Sequence, residues 1–305
     1  MKHLSFYAYN HQGKGKKYID ALISGDMKQT FNTLEANIII TDLDDPSRME
    51  RVDQRTRVFC YPHSAVASII WDSLYEAHPK TAACFMPSKG HIDIMQAYGY
   101  SKPIHVSGFP YCDFKPFEPN EHPRNVLFAP IHPNMNSFLS EIDRRINSSV
   151  YQRLLYLLQN DCINLTVRHI GSLEKNGLWL DERVTFKEGK TDLSFIEIDN
   201  ADIVVSHHTH AHMAIARGKP VLMMGEDIAP RYGGTEESLR FVKSWDKYKD
   251  MLMYPLDILN ANDTMSMIVS AAKGRSPIVQ DWIDRIIGDP FQPDEVVKVV
   301  KNYYQ

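Results

Sequence analysis

No stretch of this chain stays apolar for the roughly 20 residues a membrane-spanning helix needs, and no basic start followed by a long apolar run opens it. The sequence therefore predicts a cytoplasmic protein without membrane insertion. Cysteine is sparse: Cys60, Cys84, Cys112 and Cys162 lie far apart with no CxxC pair, which argues against a disulfide framework and predicts reduced, mostly buried thiols. Charge of one sign is lacking too. The formal net charge of −4 gives no global attraction to nucleic acid or anionic membranes, so an anionic partner would need a local basic patch. Neither GxGxxG, nor P-loop spacing, nor HExxH occurs, and no internal repeat or low-complexity tract is found. What remains is a chain of 305 residues, 43% of them hydrophobic, enough for a large core and for two domains of ordinary size.

Short β-rich runs alternate with helical patterns along the whole length, the signature of α/β folds with parallel sheets. In the first half the strand candidates are "HLSFYAY" (3–9), "NIIITD" (37–42), "RVFCYP" (57–62), "AACFMP" (82–87) and "IHVSG" (104–108). Helical patterns lie between them: "KKYIDALISG" with its glycine stop, "HSAVASIIWDSLYEA" with a wide apolar face, and "KGHIDIMQAYG", which Ser88 can cap. The proline-rich stretch "GFPYCDFKPFEPNEHPRN" (108–125) has neither period and reads as the connection between domains. "NVLFAPI" then opens a second alternation with strands at 163–170, 184–188, 202–206 and 220–225, and helices close the chain. This order predicts two facing Rossmann-like domains, residues 1–115 and 116–305, the closing helices belonging to the second. A ligand would lie in the cleft between them, outside the carboxyl ends of the strands.

At such a strand end stands "SHHTHAH", four histidines in the seven residues from Ser206 to His212. The strand "DIVVS" ends there and a helix begins, so free N–H groups and the positive dipole end make phosphate the natural ligand. Ser206 and Thr209 add hydroxyl donors, and His207, His208 and His210 add ring donors. Zinc is the competing reading, because His208 and His212 are spaced i, i+4, but no adjacent Glu, Cys or other carboxylate completes a site and no metal is assigned. Filling of a turn and of an exposed helix face is the third.

The segment "ADIVVSHHTHAHMAIARGKPVLMMGED" resembles the donor-binding segment of GT-B enzymes, in particular CDP-glycerol glycerophosphotransferases and the non-hydrolysing UDP-N-acetylglucosamine 2-epimerases. "PSKGHIDIMQAYGYSKPIHVSGFPYCDF", "NVLFAPIHP" and "YPHSA" are similar to family segments in the same order. Two departures are specific: with "GKP" in register, His208 and Thr209 replace a glycine pair, and His212 stands at a ribose-contacting carboxylate of the epimerases, a nucleotide-binding position. The resemblance implies that His132 and Arg168 reach the donor phosphates, and that Glu226 and Asp227 accept from ribose hydroxyls. Surface or turn roles for each of these stay open.

Glycosyl transfer needs a base for the acceptor hydroxyl and a group that steadies the leaving diphosphate. His63, at a helix start after a first-domain strand, is the expected base, with Asp113 and His11 as alternatives. The loop "YNHQGKGKK" offers Gly13 and Gly15 for close backbone approach and Lys14, Lys16 and Lys17 for charge. In "DPSRMERVDQRTR", Arg48, Arg51 and Arg55 fall at i, i+3 and i+7 on one helix face, although Glu50 and Asp53 can pair with them. These basic residues are the expected acceptor side, for an anionic polymer such as hydroxyl-modified phage DNA or a cell-surface polymer. The sequence reading is thus a transferase of glycosyl or polyol-phosphate groups from a nucleotide-activated donor, needing no cofactor. A nucleotide-sugar 2-epimerase and a non-catalytic nucleotide-sugar-binding protein are the alternatives.

Overall fold

A computed structural model describes residues 4–8, 15–42, 56–61, 80–97, 99–131, 137–189, 195–224 and 253–304. The chain forms two compact units, Met1–Asp113 together with Ile283–Gln305, and Phe114–Trp282. The division after Asp113 falls within the proline-rich stretch, two residues before the expected boundary. The last segment differs from expectation: residues 283–305 belong to the first unit, not the second.

The first unit holds a parallel sheet in the order β2-β1-β3-β4-β5-β6. Its strands are β1 (Ser5–Ala8), β2 (Lys28–Gln29), β3 (Ile38–Asp42), β4 (Arg57–Tyr61), β5 (Thr81–Met86) and β6 (Ile104–Val106). Central strands covered on both faces read as continuous apolar runs, and β4 and β5 are buried almost throughout. β2 has no counterpart in the sequence reading, because two polar residues carry no apolar period and only pairing with Ser5 and Phe6 makes them a strand. Helix α1 (Lys16–Ser24) ends at Gly25 as expected, and α2 (Lys89–Ala97) follows β5. The stretch "HSAVASIIWDSLYEA" lies outside the described residues.

Ser88 stands at the start of α2, where its hydroxyl also joins two other groups. It contacts Arg285 O and lies 2.8 Å from His91 Nδ1.

The second unit holds β7 (Asn125–Phe128), β8 (Asn164–His169), β9 (Thr185–Glu188), β10 (Ile203–Ser206) and β11 (Val221–Met223), all parallel in the order β11-β10-β7-β8-β9. Its helices are α3 (Ser137–Gln159), α4 (Phe195–Asn200), α5 (His208–Ala216) and α6 (Thr264–Lys273), the last capped by Asp263, which accepts from Met265 N and Ser266 N. The proline-rich stretch is strapped down here: Lys115 N donates to Ala216 O at 2.9 Å, and the Arg275 guanidinium lies 4.7 Å from the Phe117 ring centre.

Helix α7 (Pro277–Ile286) carries the chain from the second unit back into the first, where α8 (Pro293–Asn302) closes it. Val296, Val299 and Val300 of α8 pack with Phe6, Tyr18, Leu22 and Phe59, and the Tyr303 hydroxyl donates to Ala82 O at 3.0 Å. Apolar spacing marks α8 as amphipathic, but cannot say which of two sheets its face covers.

The four cysteines are free, three buried and Cys162 half-buried. Among the described residues, no helix is long and apolar enough to cross a membrane.

Candidate functional site

In the second sheet, chain order reverses between β7 and β10: successive strands after β7 run toward β9, and β10 returns to β7's other side. Loops leaving two such strands part in opposite directions and open a crevice outside their carboxyl ends. Two described segments leave those carboxyl ends, Ala129–Ile131 after β7 and Ser206–His207 leading into α5.

The strands are joined up to that point. Ala129 N donates to Val205 O at 2.9 Å, and the Ser206 hydroxyl, 1% exposed, donates to Ala129 O at 3.1 Å. Ser206, expected to donate to phosphate, is thus occupied in tying the two strand ends together. His207 is the N-cap of α5 in extended conformation (φ −137°, ψ 144°) with no side-chain cap bond. The first turn of α5 carries no acidic residue, so none of its own carboxylates offsets the positive helix end. Ala211, Ala214, Ile215 and Ala216 bury the opposite face and hold the helix against the sheet.

His210 is half-buried. His212 is 0% exposed, its ring centre 5.6 Å from that of Trp282, and Trp282 meets Tyr254 edge-on at 5.0 Å. The side chain expected at a ribose is therefore a packing residue of the unit's interior. The backbones of His208 and Thr209 form the first turn of α5, while their side chains, together with His132, Glu226 and Asp227, lie outside the described residues.

Arg168 reaches the same sheet edge at the end of β8 but is already engaged. Its Nη1 meets Glu197 Oε2 at 2.5 Å, both side chains being nearly buried, and its guanidinium lies over Gly189, where a Cβ would come within 2.7 Å. Lys187 adds a second cation 3.6 Å from Glu197. Releasing Arg168 to a phosphate would leave Glu197, among the described residues, with that longer contact alone.

In the first unit the reversal lies between β1 and β3, and α1 starts there at Gly15. A Cβ on Gly15 would lie 2.6 Å from the Tyr61 hydroxyl, so a larger residue would have to push that buried ring aside. Lys16 is exposed; Lys17 donates to Asp113 Oδ1 at 2.8 Å and to Cys112 O at 3.0 Å. Asp113, an alternative base, has a side chain 87% exposed and paired with that lysine. The Tyr18 hydroxyl meets Ser107 Oγ at 2.9 Å, and burial pushes its pKa up. His11, Lys14, Arg48, Arg51, Arg55 and His63 lie outside the described residues. Among the described residues, no three His, Cys, Asp or Glu side chains converge as metal ligands would.

Two residues absent from the sequence reading stand behind the crevice. Asn147 of α3 and Asn176 of the loop after β8 are 0% and 1% exposed and bind the loops that leave β7 and β8. A signal existed: Asp143 and Asn147 continue the buried stripe of Val150 and Leu154 at helical spacing, which places polar side chains on an apolar face.

No family model matches the chain, and no curated protein matches it. Solved structures do. The spinosyn forosaminyltransferase SpnP matches over 99% of both chains with 10% identity and a TM-score of 0.50. The calicheamicin glycosyltransferase CalG4 matches over 99% of this chain and 98% of its own, with 9% identity and a TM-score of 0.48. TarM matches over 88% of this chain at 12% identity and a TM-score of 0.47, and the chain spans about half of TarM, 54% of its length. Identity at this level speaks for the fold alone. Two parallel α/β units and the full-length match to SpnP together show that the chain has the GT-B fold.

Proposed function

We propose that this chain is a glycosyltransferase of GT-B type that moves a glycosyl or polyol-phosphate group from a nucleotide-activated donor to a hydroxyl acceptor. The observation that supports the reading is the strand-order reversal between β7 and β10, where α5 starts at the histidine-rich turn with no carboxylate in its first turn. The donor diphosphate sits there, held by the first-turn N–H groups and by His207, His208, Thr209 and His210. His132 follows the neighbouring loop in sequence and supplies a further donor. Glu226 and Asp227 contact the ribose. Arg168 contributes only by leaving Glu197, so it ranks behind the histidines as a phosphate ligand.

On the acceptor side His63 takes the hydroxyl proton. Lys14, Lys16, Arg48, Arg51 and Arg55 give an anionic polymer its contacts, a modified DNA or a phosphate-bearing surface polymer. Lys17 is discounted there because Asp113 already matches its charge.

A panel of nucleotide-sugars and CDP-glycerol, assayed for thermal stabilisation, tests the donor reading, since a ligand of the folded state raises the midpoint of unfolding. Stabilisation by none of them overturns it. Conversion of a stabilising nucleotide-sugar to its epimer without acceptor would replace the transferase by an epimerase. Binding without turnover across acceptors would leave a binding protein. Acceptor affinity across a salt series tests the polymer: a salt-independent affinity would replace it by a neutral acceptor.

A further inference from the structure

Helix α3 grips the two loops that leave β7 and β8 through one buried amide. Asn147 Oδ1 accepts from Ile131 N at 2.8 Å, and Asn147 Nδ2 donates to Ile131 O at 2.8 Å and to Asn176 O at 3.0 Å. A single side chain thus satisfies both backbone groups of Ile131 and reaches across to the second loop. Asn176 continues the chain of bonds: its Nδ2 donates to Ile170 O and to Ser172 O, each at 2.8 Å. These carbonyls are acceptors only, so the orientation of both amides follows from their partners.

The second loop is also seated on α3 directly. The Ser148 hydroxyl donates to Gly177 O at 2.6 Å. At Gly177 (φ +72°) a Cβ would meet Arg144 O. Asn176 Oδ1 remains buried with no partner among the described residues.

We propose that Asn147, with Asn176 as its relay, is a positioning residue for donor binding: it holds the β7 exit loop in the geometry that completes the phosphate crevice. The role rests on the donor reading given above. Ile131 is the last described residue before His132, and its carbonyl begins the peptide bond into that histidine. Clamping both polar groups of Ile131 therefore fixes the backbone of the residue just before the expected phosphate ligand in sequence. Both loops are bonded to the same amide, so a change there reaches both. A displacement of about 1 Å in such supporting groups is enough to lower binding or turnover severalfold to a hundredfold.

The variant Asn147→Asp keeps the shape and the acceptor for Ile131 N but, as a carboxylate, loses both donated bonds. Asn176→Ala removes only the second half of the relay. Leu154→Ala, a truncation of a fully buried α3 residue outside the network, serves as a control for destabilisation. The wild type is first titrated with UDP, CDP, GDP and dTDP, and the nucleotide that binds is carried to the variants. We expect Asn147→Asp to weaken binding on the order of tenfold and Asn176→Ala by a smaller factor, with Leu154→Ala leaving the affinity of its folded fraction unchanged. Hydrogen exchange should show the amides of Lys175 and Asn176 losing protection in Asn147→Asp, where the bond to Asn176 O is lost, while those of β10 keep theirs.

Nucleotide affinity unchanged in both network variants would overturn the positioning role and leave the donor reading standing. Equal weakening by Leu154→Ala would overturn it as well, since the effect would then be one of stability. A wild type that binds none of the four nucleotides overturns the donor reading and the positioning role with it. If Asn147→Asp does not fold, Asn176→Ala decides by the same criteria.

Discussion

At Asp199 the carboxyl is held down to about 2 by its bond to Arg217, with a second bond from Lys115 acting in the same direction against partial burial. Arg217 meets it through Nε at 2.8 Å and Nη2 at 2.5 Å, a two-point contact that fixes the helix before β10 to the end of α5. A carboxyl depressed in the folded state adds stability that is fully present above its unfolded value near 4 and is lost as pH falls toward 2. The unfolding midpoint of the wild type should therefore drop more steeply between pH 4 and pH 2 than that of Asp199→Asn. Parallel curves for the two proteins would contradict this assignment.

The proposed site divides at the same scale into a group that binds and a group that moves a proton. Replacing His208 and Thr209 together with Ala should weaken donor binding while the midpoint of unfolding stays close to wild type. His63→Ala should instead lower turnover by roughly 100-fold or more with donor affinity preserved. Steady-state kinetics beside calorimetric donor titration reads both. If His63→Ala lost affinity and turnover in equal measure, it would be a binding residue and not the base.

Elements meet in the first unit at points where only a missing Cβ allows contact. At Gly90 of α2 a side chain would fall on the backbone of α7, against Arg285 O. Ala gains up to about 1 kcal/mol of helix propensity over Gly, whereas forcing a methyl into a closed backbone contact costs about 1–3 kcal/mol. The obstacle is backbone and cannot rotate away, so the second effect wins. Gly90→Ala should lower stability by roughly 2 kcal/mol, read from denaturant unfolding; a stabilised variant would mean that α2 and α7 are not so close. At the same place the Ser88 hydroxyl, beside His91, also joins α2 to α7 through Arg285 O. Serine before a helix was legible in the sequence; that its hydroxyl is taken by a residue far along the chain was not.

Over the whole molecule, the second unit is one continuous piece of chain and the first is not. Burying a valine is worth about 1.5–3 kcal/mol, so Val296, Val299 and Val300 together supply roughly 5 kcal/mol or more, an appreciable part of the 5–15 kcal/mol typical of a whole domain. A fragment of residues 114–282 should therefore melt cooperatively by itself and bind the donor nucleotide. Residues 1–113 alone should not fold, while the same fragment joined by a flexible linker to 283–305 should. Circular dichroism melts decide, and a stable 1–113 fragment would show that α8 is dispensable.

Local pattern alone determined much of this molecule. Apolar runs such as "IIIT" and "DIVVS", broken by helical spacing, specify buried parallel strands with crossovers, and the polar residues after "DIVV" mark the strand-to-helix turn at Ser206–His208. Those are properties of neighbouring residues, so sequence carries them. Long-range placement decided the rest. β2 exists because β1 lies beside it, α8 covers the first sheet because the chain returns there, and His212 and Ser206 face inward because of what packs against them. Arg168 is committed to Glu197 by the folding of a later helix onto β8. Asn147 and Asn176 acquire their part from the meeting of α3 with two loops, a geometry that residue spacing along one segment does not encode.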